Sequence, residues 1–173
     1  MSLAAPPWGR IASGRRKMKF DTLPNRSIGF SGVRVLHIIS SVDPRLGGPV
    51  EGVFSSAEVW YSHGHERHIV SLDPPSAPWL AAARAPTEAL GLGGSFYSIL
   101  RRFIPWLRYG YTPRLVPWLH QHAGEYDAVI VNGIWNYSSF GAWRALHEMK
   151  VPYFIFTHGM LARIIHGKLV FVA

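Results

Sequence analysis

Short apolar runs closed by glycine, proline or polar residues recur along the chain from residue 33 onward. Val33 to Ile39 is apolar and β-branched, interrupted only by Arg34 and His37, which is the pattern of a strand covered on both faces. Ile69–Leu72, Ala128–Val131 and Tyr153–Thr157 repeat that pattern, and Thr87–Leu92 reads as one more short strand. Between the runs the spacing becomes helical. Val53, Ala57 and Tyr61 share a face in 50–61, Phe96, Ile99, Leu100, Phe103 and Ile104 share one further on, and 138–148 reads as another helix. The alternation predicts an α/β fold, a Rossmann-like and mostly parallel sheet with helices on both faces.

Breakers set the limits of these elements. Gly64 reads as the end of the first helix. Pro74, Pro75, Pro78 and Pro86 leave room for one helical turn around residues 80–84. Thr112 reads as a cap with Pro113 at the first position of a helix, and Pro105 and Pro117 shorten any continuous amphipathic surface.

Composition narrows the class. A chain of 173 residues, 48% apolar and 13% aromatic, can bury one good core. Cysteine is absent, which excludes a disulfide framework, Cys metal sites and Cys nucleophiles, and fits a cytoplasmic setting. The net charge of +8 is uneven: residues 1–32 hold six basic side chains against Asp21, whereas the rest holds twelve basic and nine acidic ones. Residues 1–32 therefore read as a basic, disordered extension without the apolar segment of a signal peptide. The body lacks a basic stripe along a helix, so no nucleic-acid partner is expected.

Candidate chemistry sits where the apolar runs end. After the first strand, Gly47-Gly48-Pro49 opens a helix. Glycines there admit special backbone conformations and close approach of a ligand, and free helical N–H groups suit a phosphate. Asn132-Gly133-Ile134-Trp135-Asn136 follows the fourth run, and Thr157-His158-Gly159-Met160 ends the fifth. The carboxyl ends of parallel strands form the binding edge of open α/β sheets, which would bring Asn132, Asn136 and His158 to the edge that carries Gly47 and Gly48.

Other motifs are weaker. His63, His65 and His68 lack the i, i+4 pairing on a helix, and no cluster of carboxylates or Cys accompanies them, so no metal site is expected. Gly91-Leu92-Gly93-Gly94 lacks the acidic residue that a dinucleotide fingerprint requires about twenty positions on. Residues 96–122 mix aromatics with Arg101, Arg102 and Arg108, a combination open to two readings: helices packed on a sheet, or a surface resting on anionic lipid from one side of a membrane. No apolar run approaches the length of about 18 residues that a spanning helix needs.

Three stretches, VRVLHIISSVDPRLGGPVEGVFSSAEVWYSHGHERHIVSL, YDAVIVNGIWNYSSFGAWRAL and VPYFIFTHGML, together resemble the amino-terminal domain of family 4 glycosyltransferases of the GT-B type over residues 33–161. The resemblance implies one half of a two-domain cleft, the half that mainly receives the acceptor. It implies retaining hexosyl transfer from a nucleotide-sugar donor to a glycan or lipid-linked acceptor, in making a cell-surface polysaccharide or glycolipid. It implies no metal and no cofactor, the nucleotide sugar being a substrate. By the same resemblance Gly47 and Gly48 lie beside the donor diphosphate, and His158 faces the transferred sugar and donates to or orients one of its hydroxyls. Asn132, Trp135 and Asn136 lie near the acceptor. Residues 162–173 depart from the family, as an apolar tail able to pack as a last strand in place of the donor domain. That departure implies a truncated or frame-shifted product, inactive alone or paired with a separate donor domain. The expected setting is the cytoplasm, with residues 96–122 open to peripheral contact at the inner face of a membrane. Two other readings stay open: a non-catalytic module that binds a sugar, a phosphate or another protein, and a degraded gene product.

Overall fold

The computed structural model describes residues 32–160, 162–165 and 168–171. The basic extension expected over residues 1–32 lies outside them except for Gly32.

Five strands form one parallel sheet: β1 (Arg34–Ile39), β2 (Glu66–Ser71), β3 (Thr87–Ala89), β4 (Ala128–Asn132) and β5 (Tyr153–Phe156). Their spatial order is β3-β2-β1-β4-β5, so β1 lies at the centre and the chain crosses over it between β3 and β4. The fold is therefore Rossmann-like α/β, as the alternation of runs predicts.

The alternation of side chains along β1 divides the core in two. Leu36 and Ile38 join Val129 and Val131 beneath α4 (Leu115–His122) and α5 (Tyr137–Leu146) through Leu115, Leu119, Ala142 and Leu146. Ile39 joins Ile69 on the opposite face beneath α1 (Gly48–Ser62) through Val50, Val53, Phe54 and Ala57. The helices α4 and α5 meet closely at Gly141, where a Cβ would stand 2.7 Å from a Leu115 methyl. Coverage fails at the edge of the sheet. Phe154 and Phe156 of β5 are each 52% exposed and Ile155 is 43% exposed.

Several local outcomes differ from the sequence reading. The Thr112 hydroxyl is buried and donates to the Leu90 carbonyl at 2.6 Å, and α4 begins only at Leu115. That hydroxyl also accepts from the Arg114 N–H at 3.3 Å, so Thr112 caps the turn that leads into α4 while tying it to the end of β3. β2 begins at Glu66 rather than Ile69, because buried Arg67 is accommodated within the strand by the Trp60 ring at 4.5 Å and a hydrogen bond to Ser56. The residues 87–92 shorten to β3, and Gly91 presses on the end of β2, where a Cβ would lie 2.0 Å from the Leu72 carbonyl oxygen. Gly64 does end α1, with φ at 74°.

The tail does not extend the sheet. β6 (Ala162–Ile165) and β7 (Lys168–Phe171) pair with each other as a separate antiparallel ladder. The segment between β3 and α4 holds α2 (Ser95–Phe103) and α3 (Pro105–Arg108), with Ile99, Phe103 and Trp106 at the surface. Among the described residues no helix is long and apolar enough to cross a membrane.

Candidate functional site

The carboxyl edge of the sheet is built from the loops that follow β1, β2, β4 and β5. The loop after β1 is anchored by Asp73, a buried residue just beyond β2. One Asp73 oxygen accepts from the Ser41 hydroxyl at 2.5 Å and the other from the Val42 N–H at 2.7 Å. Asp43 then starts a short 3-10 turn, Pro44–Leu46, by accepting from the Arg45 N–H at 3.0 Å. The Arg45 guanidinium, 2.5 Å from the second oxygen, holds the Asp43 carboxyl below the usual carboxylate range, with burial opposing it.

The two glycines after this turn have different standing. Gly47 takes φ 73° and ψ −135°, a combination that side-chain-bearing residues scarcely adopt. Gly48 begins α1 with no such requirement, and a Cβ there would meet nothing within 4 Å. The fold therefore demands glycine at 47 and leaves the space over 48 open. Both line a cleft of about 450 Å³ together with Pro44, Glu51, Phe54 and Arg84.

The electrostatics of that cleft differ from those of a phosphate loop. Gly47 N–H donates to the Pro44 carbonyl, Val50 and Glu51 N–H both donate to the Gly47 carbonyl, and Pro49 has no N–H. Among the described residues of this turn, the Gly48 N–H is thus the backbone donor left for a ligand. Arg84 bridges Glu51 at 2.5 Å and Glu58 at 3.4 Å, and its hydrogen bond, followed by that from Ser55, holds the Glu51 carboxyl low. The cleft offers close approach and little net positive charge.

On the other side of β1 the polar groups form a chain. The residues Thr157–Met160 make a tight turn closed by Met160 N–H donating to the Thr157 carbonyl at 2.9 Å. Its central residues His158 and Gly159 both have positive φ, 48° and 78°. Histidine tolerates that region better than bulkier or branched residues, at a cost of about 1 kcal/mol. The turn folds the His158 ring back over β4, where its Nε2 lies 2.9 Å from Asn132 Oδ1. Asn132 Nδ2 in turn lies 3.2 Å from His37 Nδ1 on β1. His37 and Asn132 are each 3% exposed, whereas His158 is exposed. Burial first, then the charges of Arg67 and His158, pull the His37 pKa down to about 3, so its ring is neutral.

Trp135 and Asn136 flank this chain. The exposed Trp135 ring donates its indole N–H to the Met160 carbonyl at 3.0 Å, which ties the loop after β4 to the loop after β5. Gly133, at φ 92°, permits the loop and donates to the Phe156 carbonyl at 2.8 Å. Asn136 stands at the start of α5 and accepts from the Ser138 hydroxyl.

The six residues singled out from the sequence thus fall into two groups on one edge. His158, Asn132, Trp135 and Asn136 are drawn together by hydrogen bonds or the shared loop, and Gly47 and Gly48 line the cleft beyond β1. Asn132 is enclosed, so it meets a ligand only by way of His158. With Nε2 engaged by Asn132, the outward nitrogen of His158 is Nδ1, which accepts when the ring is neutral rather than donating. His37 and Asp73 are site residues that the sequence reading does not single out. Their hydrogen-bond partners lie 95 and 31 or 32 positions away, and no local spacing marks them.

No family model matches the chain, and no curated protein matches it. Among solved structures it is similar to the C-terminal domain of a hydrogenase from Pyrococcus furiosus, residues 78–226. That match has 18% identity over 71% of this chain and 90% of that one, with a TM-score of 0.44. It is also similar to a glycosyltransferase from Rickettsia africae, with 11% identity over 75% of this chain and a TM-score of 0.48. The chain spans 30% of that glycosyltransferase's length.

Proposed function

We propose that this chain is the acceptor-side half of a GT-B, family 4-like glycosyltransferase, which transfers a hexose with retention from a nucleotide sugar to a glycan or lipid-linked acceptor. The observation that carries the reading is the convergence, on one carboxyl edge of a parallel sheet, of an open glycine cleft and an exposed histidine held by buried side chains. The stretches that resemble the family supply β1, β2, β4 and β5 of the sheet.

The cleft suggests a division of labour. Gly47 and Gly48 allow the donor diphosphate to come near, while Glu51 and the already bridged Arg84 leave its charge to be neutralised elsewhere. In this reading a second domain holds the diphosphate and stabilises the charge that grows on it as it leaves. His158 and the Trp135 ring face the sugar and the acceptor from this side. One domain alone positions only half of the reactants, so turnover requires the donor wall.

The test is binding and transfer with a panel of UDP-, GDP- and ADP-sugars on the purified chain, wild type and His158→Ala. Resonance shifts at Gly48 N–H and at His158 with one donor class support the reading, whereas transfer by this chain alone that His158→Ala abolishes would show that one domain suffices and that no donor wall is needed. No shift with any donor would overturn it.

The exposed Ile99, Phe103 and Trp106, with Arg102 and Arg108 nearby in sequence, support peripheral contact of this wall with an anionic membrane at its cytoplasmic face. Liposome flotation with Arg101, Arg102 and Arg108 changed to Glu is expected to lose binding to anionic vesicles. Equal flotation of wild type and variant would exclude that contact.

A further inference from the structure

We infer that Asn132 and His37 are positioning residues that present the Nδ1 lone pair of His158 outward, so that the ligand group received at this corner is a hydroxyl rather than a phosphate or carboxylate oxygen. For the identity of the ligand this rests on the glycosyltransferase reading; for the geometry it does not.

The direction of the Asn132 amide decides the argument. Its nitrogen lies 3.3 Å from the Ile38 carbonyl oxygen and 3.5 Å from that of Ile130, and a carbonyl only accepts. The NH₂ group must therefore face β1, which leaves Oδ1 facing His158. An oxygen at 2.9 Å requires that His158 Nε2 carry the hydrogen.

The same NH₂ group fixes the second ring. Asn132 Nδ2 donates toward His37 Nδ1, so His37 holds its hydrogen on Nε2, a buried atom with no hydrogen-bond partner. A hydrogen on His37 Nδ1 would set two donors against each other and favour a flipped amide. That flip would place an NH₂ group against His158 and force its hydrogen onto Nδ1, reversing what the exposed nitrogen offers. Neutral His37 is thus the far end of a three-residue lock.

The consequence lies at the exposed end. No hydrogen bond engages His158 Nδ1 among the described residues, and with the ring neutral this atom is an acceptor alone. A sugar or alcohol hydroxyl can donate to it, whereas an ionised phosphate oxygen would set lone pair against lone pair. The outer walls of the corner, the Phe156 ring edge-on to His158 at 6.4 Å and the exposed Trp135, suit the apolar faces of a sugar.

The experiment uses the full chain labelled with ¹⁵N-histidine at a pH where His158 is neutral, and reads ring nitrogen–proton correlations in wild type, Asn132→Asp and Asn132→Leu. Wild type should carry hydrogen on Nε2 of both His37 and His158, with the His158 ring proton protected from exchange. Asn132→Asp, which keeps an oxygen toward His158, should retain that proton, and Asn132→Leu should lose its protection. Methyl α-glucoside should then shift the wild-type His158 Nδ1 signal, and dimethyl phosphate, an anion without a hydroxyl, should leave it unchanged. Hydrogen on Nδ1 of either wild-type ring, equal spectra for the Leu and wild-type chains, or a response to dimethyl phosphate without one to the glycoside would each overturn the inference. Wild-type tautomers alone decide the geometry if Asn132→Leu fails to fold. Nucleotide sugars do not enter these spectra, so the expected tautomers in a chain that responds to no nucleotide sugar would remove the proposed enzyme and leave the lock standing.

Discussion

β1 and β5 are both short, parallel and strongly apolar, and they meet opposite fates. In β1 every residue from Val35 to Ile39 is buried, while three of the four residues of β5 stand at the surface. Composition specifies that a segment is a strand; its place in the order of the sheet decides whether anything covers it. β1 has neighbours on both edges and helices over both faces, and β5 has β4 on one side only. Polarity follows the reverse logic: the buried strand carries the sequestered imidazole, and the bare strand delivers the exposed one.

The sharpest way to break the comparison is a pair of truncations. Leu36→Ala in β1 is expected to cost about 2–5 kcal/mol in chemical denaturation, and Phe156→Ala in β5 less than about 1 kcal/mol. Similar losses at both positions would mean that β5 is covered in solution.

Acid should single out β1 next. His37 is held neutral down to pH about 3, whereas in the unfolded chain it takes up a proton near its ordinary pKa of 6.5. Between those values the unfolded state binds the extra proton, so stability rises with pH there and is lost as pH falls from 6.5 toward 3. The slope from this residue is at most about 1.4 kcal/mol per pH unit, and denaturation midpoints for wild type and His37→Phe should diverge accordingly.

A smaller contrast separates the adjacent glycines. Gly47→Ala should cost about 1–3 kcal/mol through its backbone conformation alone. Gly48→Ala should leave stability unchanged within about 0.5 kcal/mol while weakening nucleotide-sugar binding, read by calorimetry. Loss of stability at 48 would show that the fold, and not a ligand, requires that glycine.

The smallest expected effect is on β5 itself. Phe154→Ser with Phe156→Ser should barely move the unfolding midpoint yet reduce self-association in sedimentation, because an uncovered apolar strand invites contact. Unchanged sedimentation would show that the exposed phenylalanines do not cause association.

How far the sequence reveals the molecule follows from range. The five strands, α1 and α5 are legible because each depends on a local run and its flanking breakers, and His158 is legible because a glycine turn follows a strand. Thr112 is legible only in part, because its hydroxyl accepts from the Arg114 N–H ahead of α4, as a cap does, and also answers a carbonyl 22 positions back. Arg67 hides the start of β2 because its charge is buried against Trp60, an arrangement absent from any periodicity. His37 looks like an interruption in an apolar strand until β4 is placed beside it.

The Asn132–His37 contact joins residues 95 positions apart, across the crossover that puts β4 against β1. Closing so long a loop is among the slower events available to a folding chain, since the entropy is lost before the contact forms. The His37 ring proton is therefore a clock for assembly. It should become protected only once the centre of the sheet has closed, later than the amides of α1, and a refolding experiment that follows both would time the two halves of the domain separately.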